Sequence, residues 1–164
     1  MNVFTNQRPP TILVVDDEEP IRDFMRALFR QTMPTAEVVT ASEGASGLRI
    51  LGERTVDLII SDYRMPGMDG VSFLAEAEKV QRGVPKILLT GYADMEVAIH
   101  AINSGKVTAF YTKPATAAVI AKAAKDILTA RLDQIQREQA FARAFRALDE
   151  TAPEAPRIDL GGRA

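Results

Sequence analysis

Cysteine and tryptophan are absent from this sequence, and the only histidine is His100. Without cysteine, the chain can form neither disulfides nor thiolate metal sites, and it has no cysteine nucleophile. Acidic and basic residues nearly balance, with 22 Asp and Glu against 20 Lys and Arg. This balance excludes a strongly basic chain, so we expect no direct contact with nucleic acid.

Long apolar runs are also lacking, since none approaches the roughly 20 residues that a membrane-spanning helix needs. The first ten residues are polar and end in Pro9-Pro10, which is unlike a signal peptide. We therefore expect a cytoplasmic protein without a membrane partner. With 164 residues, 46% of them hydrophobic, the chain is long enough for one globular domain and a modest extension.

Short apolar, β-branched runs alternate with amphipathic stretches, which favours βα units around a parallel sheet. The predicted strands are Ile12 to Val15, Glu37 to Thr40, Leu58 to Ser61, Lys86 to Leu89 and Thr108 to Thr112. The predicted helices are Pro20 to Gln31, Glu43 to Glu53, Gly70 to Gln81, Asp94 to Ser104 and Ala115 to Asp149. The first, third and fourth strands are apolar almost throughout, as central strands should be, whereas the second is typical of an edge.

Two predictions concern the ends of the later helices. Asp94 is placed to cap the fourth helix, and Gly105 is placed to end it. The fifth helix is longer than one layer of such a fold requires, and Arg131 and Gln139 interrupt any continuous heptad seam. We therefore divide the chain into a disordered arm (1–10), a main domain (11–130), a helical extension (131–150) and a flexible tail or linker start (151–164).

The side chains that could bind a ligand or react with one directly follow the predicted strands. In an open parallel sheet, ligands bind beyond the carboxyl ends of the strands, so these side chains should share one edge. In chain order they are Asp16, Asp17 and Glu18, then Asp62, then Thr90, and finally Lys113 before Pro114.

Carboxylates so close together would repel each other without a cation, and their hard oxygen donors suit Mg²⁺. An aspartate can also attack phosphorus to form an aspartyl phosphate, which depends mainly on charge neutralisation. Mg²⁺ and Lys113 would supply that neutralisation. The Thr90 hydroxyl could donate a hydrogen bond to an arriving phosphoryl oxygen and thereby detect it.

These motifs resemble response-regulator receiver domains over about Thr11 to Leu128. The similarity rests on Asp16-Asp17, on Asp62 in Ser-Asp-Tyr-Arg-Met-Pro-Gly-Met-Asp-Gly, on Thr90 and on Lys113-Pro114. The resemblance implies an α/β fold of the flavodoxin-like type: a doubly wound, five-stranded parallel sheet of order 2-1-3-4-5, here with an extended C-terminal helix.

The resemblance also implies a role for each matching residue. Asp62 would be the phosphoacceptor, assisted by Thr90 and Lys113. Mg²⁺ would be held by Asp62, by Asp17 directly, by Asp16 through water and by the main-chain carbonyl of Arg64. Phe110 would be the aromatic switch residue that turns inward with Thr90. The side chains of Arg64 and Tyr92 stand where the family varies, so the dephosphorylation rate stays open.

By this resemblance, the protein is a signalling switch and not an enzyme, although it assists its own phosphorylation and dephosphorylation. A sensor histidine kinase or phosphotransfer protein would supply the phosphoryl group. The altered surface over the fourth helix, fifth strand and fifth helix would address an output effector protein or an attached output domain. That surface or the C-terminal helix also provides a route to a homodimer.

Simpler interpretations exist for each motif taken alone. Two aspartates after a strand often cap a helix, and Asp62 before Met65-Pro66-Gly67 could start a turn. Two other functional classes also compete. A haloacid dehalogenase-type phosphatase would require Asp-x-Asp after the first strand, where position 18 is instead Glu. A flavodoxin-like cofactor binder would require a phosphate-cradling loop where three acidic residues stand.

Overall fold

The computed structural model describes residues 8–91, 94–103 and 107–150, with side chains through residue 147. Strands and helices alternate strictly along the chain. The strands are β1 (Thr11–Val15), β2 (Glu37–Ala41), β3 (Leu58–Asp62), β4 (Lys86–Thr90) and β5 (Ala109–Thr112). The helices are α1 (Glu19–Thr32), α2 (Gly44–Glu53), α3 (Gly70–Val80), α4 (Met95–Asn103) and α5 (Ala117–Glu150).

The five strands form one parallel sheet in the order β2-β1-β3-β4-β5, as the resemblance implied. Every residue of β1, β3 and β4 is buried, whereas β2 and β5 are only partly buried at the two edges. The assignment of central strands and of β2 as an edge is therefore confirmed. Because the strands are parallel, all five carboxyl ends lie along one rim of the sheet.

Alternating side chains of the strands supply two separate cores. On one face, Val15, Ile59 and Leu88 pack with residues of α2, α3 and α4, among them Phe73 and Ala98. The other face packs against α1 and α5 through a set of aliphatic and aromatic side chains: Ile12, Val14, Ile60, Met25, Phe29, Ile120, Ala124 and Leu128. The sheet is thus covered on both sides, which accounts for its nearly unbroken apolar central strands.

Most predicted boundaries differ from the observed ones by one or two residues. Asp94, predicted as the cap of α4, directly precedes that helix. Both of its carboxylate oxygens accept hydrogen bonds from Arg64, and its role as a cap stays a prediction. The predicted end of this helix at Gly105 lies outside the described residues.

The chain divides into two compact units, one through Arg131 and a second from Leu132. In the second unit, Phe141 and Phe145 lie one helical turn apart in α5, and their exposed fractions are 75% and 65%. Arg8, which was assigned to the predicted arm, donates two hydrogen bonds to Asp57, and residues 1–7 of that arm lie outside the described residues. None of the helices in the described ranges is both long and apolar enough to cross a membrane.

Candidate functional site

The first part of the site is the turn that follows β1. Asp16 is 1% exposed, and its Oδ1 accepts a hydrogen bond from the main-chain N–H of Glu18 at 2.9 Å. Its Oδ2 lies 3.3 Å from Lys113 Nζ. Asp17 is exposed beside it. One carboxylate of the predicted pair is thus buried in the rim, and the other faces solvent.

Arg22 in α1 holds this acidic turn from outside, a contact that the motif analysis missed. One guanidinium nitrogen donates to the main-chain carbonyls of Asp16 and Asp17, at 2.7 and 3.0 Å. The only hint in the sequence is a cation in the first turns of a helix, where the dipole favours acidic residues. The bonds account for the placement of Arg22, because they satisfy two carbonyls of the turn.

Asp62 ends β3 and is 7% exposed, with Oδ1 at 2.8 Å from Lys113 Nζ. The loop that follows it packs closely, and the N–H of Gly70 donates to the carbonyl of Tyr63 at 2.7 Å. A Cβ on Gly70 would lie 2.1 Å from the main-chain oxygen of Asp62. Gly67 in the same loop has a φ of 80°, which favours glycine. Both glycines of the motif therefore shape the loop around Asp62.

Lys113 is the cation that joins the two buried carboxylates. Burial raises the pKa of Asp62; the hydrogen bond and charge of Lys113 oppose that rise, and the charge of Asp16 adds to it. Burial alone would lower the pKa of Lys113, but the hydrogen bond to Asp62 and the charge of Asp16 outweigh it and raise that pKa. The structure thus brings together three predicted site residues, Asp16, Asp62 and Lys113, in one electrostatically coupled group.

Thr90 and Phe110 lie on the neighbouring strands. Thr90 is 1% exposed at the end of β4, and its hydroxyl donates to the carbonyl of Gly91 at 3.3 Å. Phe110 pairs in register with Leu88 and packs, half-buried, on the face that carries α4. Tyr111 packs on the opposite face. Phe110 therefore lies on the face of the sheet that packs against α4. The predicted role as a switch residue that moves with Thr90 requires this placement.

An open pocket of about 520 Å³ adjoins this rim. Its walls include Asp17, Arg64, Asp69 and Asp94. Asp69 is also the N-cap of α3, where its side chain accepts from the N–H of Ser72 at 2.8 Å. The pocket gives a ligand access to the acidic rim from solvent.

Residues 12–125 match the family model described as the response regulator receiver domain. The chain belongs to this receiver family. The match spans the sheet except for Thr11, the first residue of β1, and includes every predicted site residue. It takes the place of the two competing interpretations, the haloacid dehalogenase-type phosphatase and the flavodoxin-like cofactor binder.

Related receivers occur in longer transcription regulators. Transcriptional regulatory protein GlrR of Escherichia coli K12 is 40% identical over 123 residues, which cover 75% of this chain and 27% of that protein. The C4-dicarboxylate transport transcriptional regulatory protein DctD of Rhizobium meliloti is 31% identical over 148 residues, or 88% of this chain and 30% of that protein. This receiver chain thus spans less than a third of the length of either relative.

A solved structure agrees with the fold. The response regulator receiver domain protein from Clostridium thermocellum has a TM-score of 0.69 and 33% identity to this receiver. The alignment covers 74% of this chain and 96% of that one. The parallel sheet and the covering helices are therefore shared with a receiver determined independently.

The acidic rim fits a divalent cation by its chemistry. Asp16, Asp17 and Asp62 offer hard oxygen donors, and Lys113 neutralises only one of their three negative charges. In the described ranges, no three His, Cys, Asp or Glu side chains form a ready-made metal group. Asp17 faces solvent, and both oxygens of Asp16 accept hydrogen bonds. The metal roles of these aspartates and of the Arg64 carbonyl stay predictions.

Proposed function

We propose that Asp62 accepts a phosphoryl group from a phosphohistidine of a sensor histidine kinase or phosphotransfer protein. The observation that carries this proposal is the buried Asp62 carboxylate, which lies 2.8 Å from Lys113 Nζ and directly precedes Tyr63, a residue of the pocket wall. Phosphorylation of an aspartate is also the general function of receiver domains.

The transfer itself requires little from the protein beyond placement and charge. An oxygen of Asp62 attacks phosphorus, the bond from phosphorus to the histidine nitrogen breaks, and the imidazole retains that electron pair. Lys113 stabilises the negative charge that spreads over the phosphoryl oxygens. Mg²⁺, held by Asp16, Asp17, Asp62 and the Arg64 carbonyl, would supply the remaining neutralisation. Water later hydrolyses the aspartyl phosphate, so the protein itself is a switch and not an enzyme acting on an external substrate.

The proposed switch begins at Thr90. Its hydroxyl donates a long hydrogen bond of 3.3 Å to the Gly91 carbonyl, and a phosphoryl oxygen can replace that acceptor. Movement of Thr90 would let Phe110 turn from its half-buried position toward the interior. The signal then reaches the α4-β5-α5 surface, where Val97, Ile99 and Val119 are exposed.

The output partner follows by analogy with the relatives, whose names describe transcription regulators. We infer that the altered surface addresses an attached output domain or a separate effector protein. The receiver would not contact nucleic acid itself, since its charges nearly balance. A homodimer through α4-β5-α5 or the C-terminal helix is a further candidate for the output contact.

The direct test is the intact mass after incubation with acetyl phosphate and Mg²⁺. We expect one phosphoryl adduct in the wild type, none in Asp62→Asn, and none in the wild type when EDTA is present. Asp57→Asn is the matched control, because it removes the same charge from another buried aspartate and should keep the adduct. An adduct that persists in Asp62→Asn, or that forms equally well with EDTA, would overturn the proposal.

A further inference from the structure

An exposed arginine that lines the pocket pairs with an aspartate 30 residues away. Nε of Arg64 donates to Oδ2 of Asp94 at 2.8 Å, and a terminal guanidinium nitrogen donates to Oδ1 at 2.7 Å. The side chain of Arg64 is 70% exposed, whereas that of Asp94 is 12% exposed. This two-point contact gives the guanidinium a defined direction.

The pair joins the loop after the phosphoacceptor strand to the start of α4. Asp94 is held by its backbone, because its N–H donates to the carbonyl of Gly91 at 3.1 Å, next to Thr90. Arg64 is two residues beyond Asp62, and both members of the pair line the pocket. The hydrogen bonds and charge of Asp94 raise the pKa of Arg64, and the charge of Asp62 adds a smaller contribution. Arg64 is thus attracted by two carboxylates but hydrogen-bonded to Asp94.

A phosphoryl group on Asp62 would compete with Asp94 for the Arg64 guanidinium. It carries nearly two negative charges and three acceptor oxygens, which suit the planar fork of a guanidinium better than one carboxylate does. The guanidinium side of the pair is 70% exposed, so Arg64 can turn from Asp94 toward a more strongly charged acceptor. An anionic phosphodonor that enters the pocket also competes with Asp94 for Arg64. Asp94 neutralises the guanidinium that would otherwise attract the donor.

We propose that Asp94 is a positioning residue that holds the Arg64 guanidinium away from incoming phosphodonors and releases it to the phosphoryl group on Asp62. The proposal rests on the phosphorylation of Asp62 described above. Asp94 and the phosphoryl group would thus bind the Arg64 guanidinium in turn, before and after phosphoryl transfer. Before transfer, Asp94 holds Arg64 and slows phosphorylation by small anionic donors. After transfer, Arg64 contacts the phosphoryl oxygens whether or not Asp94 is present.

The test measures phosphorylation by acetyl phosphate and the later loss of the phosphoryl group as two separate rates. In Asp94→Asn, the phosphorylation rate should rise about threefold, while the dephosphorylation rate stays within about twofold of wild type. The rise should shrink at high salt, because free Arg64 acts through its charge. Asp94→Glu keeps the carboxylate and should return the rate toward wild type.

The Arg64→Ala background separates this mechanism from a general effect on the loop. With Arg64 absent, adding Asp94→Asn should leave the phosphorylation rate unchanged. Glu53→Gln is the charge-matched control, since it breaks the exposed Arg49–Glu53 pair on α2 and should have no effect. Equal rates in wild type and Asp94→Asn, or a rise that persists without Arg64, would overturn the inference. A wild type without any adduct would instead overturn the proposed phosphorylation itself.

Discussion

The two ends of the parallel sheet both bury charged side chains, yet they balance those charges in different ways. At the end where the strands begin, Asp57 accepts from the N–H of Thr11 at 2.7 Å and from two nitrogens of Arg8. The buried Lys86 pairs there with Glu78. Among the described residues, each of the two buried charges at this end, Asp57 and Lys86, has its own opposite charge, as a purely structural ion pair requires.

At the end where the strands finish, one lysine forms ion pairs with two buried carboxylates. Asp16 and Asp62 share Lys113, and the exposed Asp17 adds a third negative charge beside them. Such an excess costs stability, because the like charges repel each other in a partly desolvated site. An uncompensated charge, rather than burial of charge itself, therefore distinguishes the functional end from the structural end.

The largest effect is expected at the structural end. Asp57→Asn removes the charge that neutralises Arg8 and replaces an acceptor oxygen with a donor amide. We expect the free energy of unfolding to fall by about 2 kcal/mol. Urea denaturation followed by circular dichroism measures it. If stability were unchanged, the one-to-one pairing would not stabilise this end.

The same substitution at the functional end should change the free energy of unfolding in the opposite direction and by a smaller amount. Asp62→Asn removes one of the competing carboxylates, and we expect stability near neutral pH to rise by about 1 kcal/mol. Matched denaturation curves of the two variants measure the contrast directly. A loss of stability in both variants would show that the negative charges around Asp62 are also neutralised in the folded protein.

The pH dependence sharpens this second prediction. The pKa of Asp62 is raised in the folded state above its ordinary value of 3.8, so the folded protein binds its proton more tightly than the unfolded chain does. The contribution of Asp62 to stability therefore falls as the pH rises from the ordinary pKa through the raised one. The advantage of Asp62→Asn over wild type should be absent at about pH 3, below both pKa values, and grow to a plateau. An advantage independent of pH would contradict this assignment.

The sequence was informative wherever a pattern repeats or a position follows a strand. Apolar runs locate the five strands because both faces of a central strand must be apolar. The motif positions of Asp62 and Lys113 follow from the common rim of parallel strands, and the structure places these residues in contact.

Contacts between residues far apart in sequence were not predictable in the same way. Arg64 and Asp94 were assigned to a variable position and to a helix cap, and neither assignment indicates a partner 30 residues away. The contacts of Arg22 and Arg8 were missed for the same reason, since long cationic side chains reach partners that no local period specifies. Helix boundaries shifted by a residue or two because end positions depend on such contacts.

The most direct test of the central claim is a Mg²⁺ titration of the ¹⁵N-labelled protein, followed by amide chemical shifts. The excess of negative charge at one rim predicts saturable shifts at Asp17 and Tyr63, and none at Asp57 and Lys86 at the other rim. Asp62→Asn should weaken the response, whereas Asp57→Asn should leave it intact. Shifts of similar size at both ends, or no saturable shift at Asp17 and Tyr63, would contradict the account.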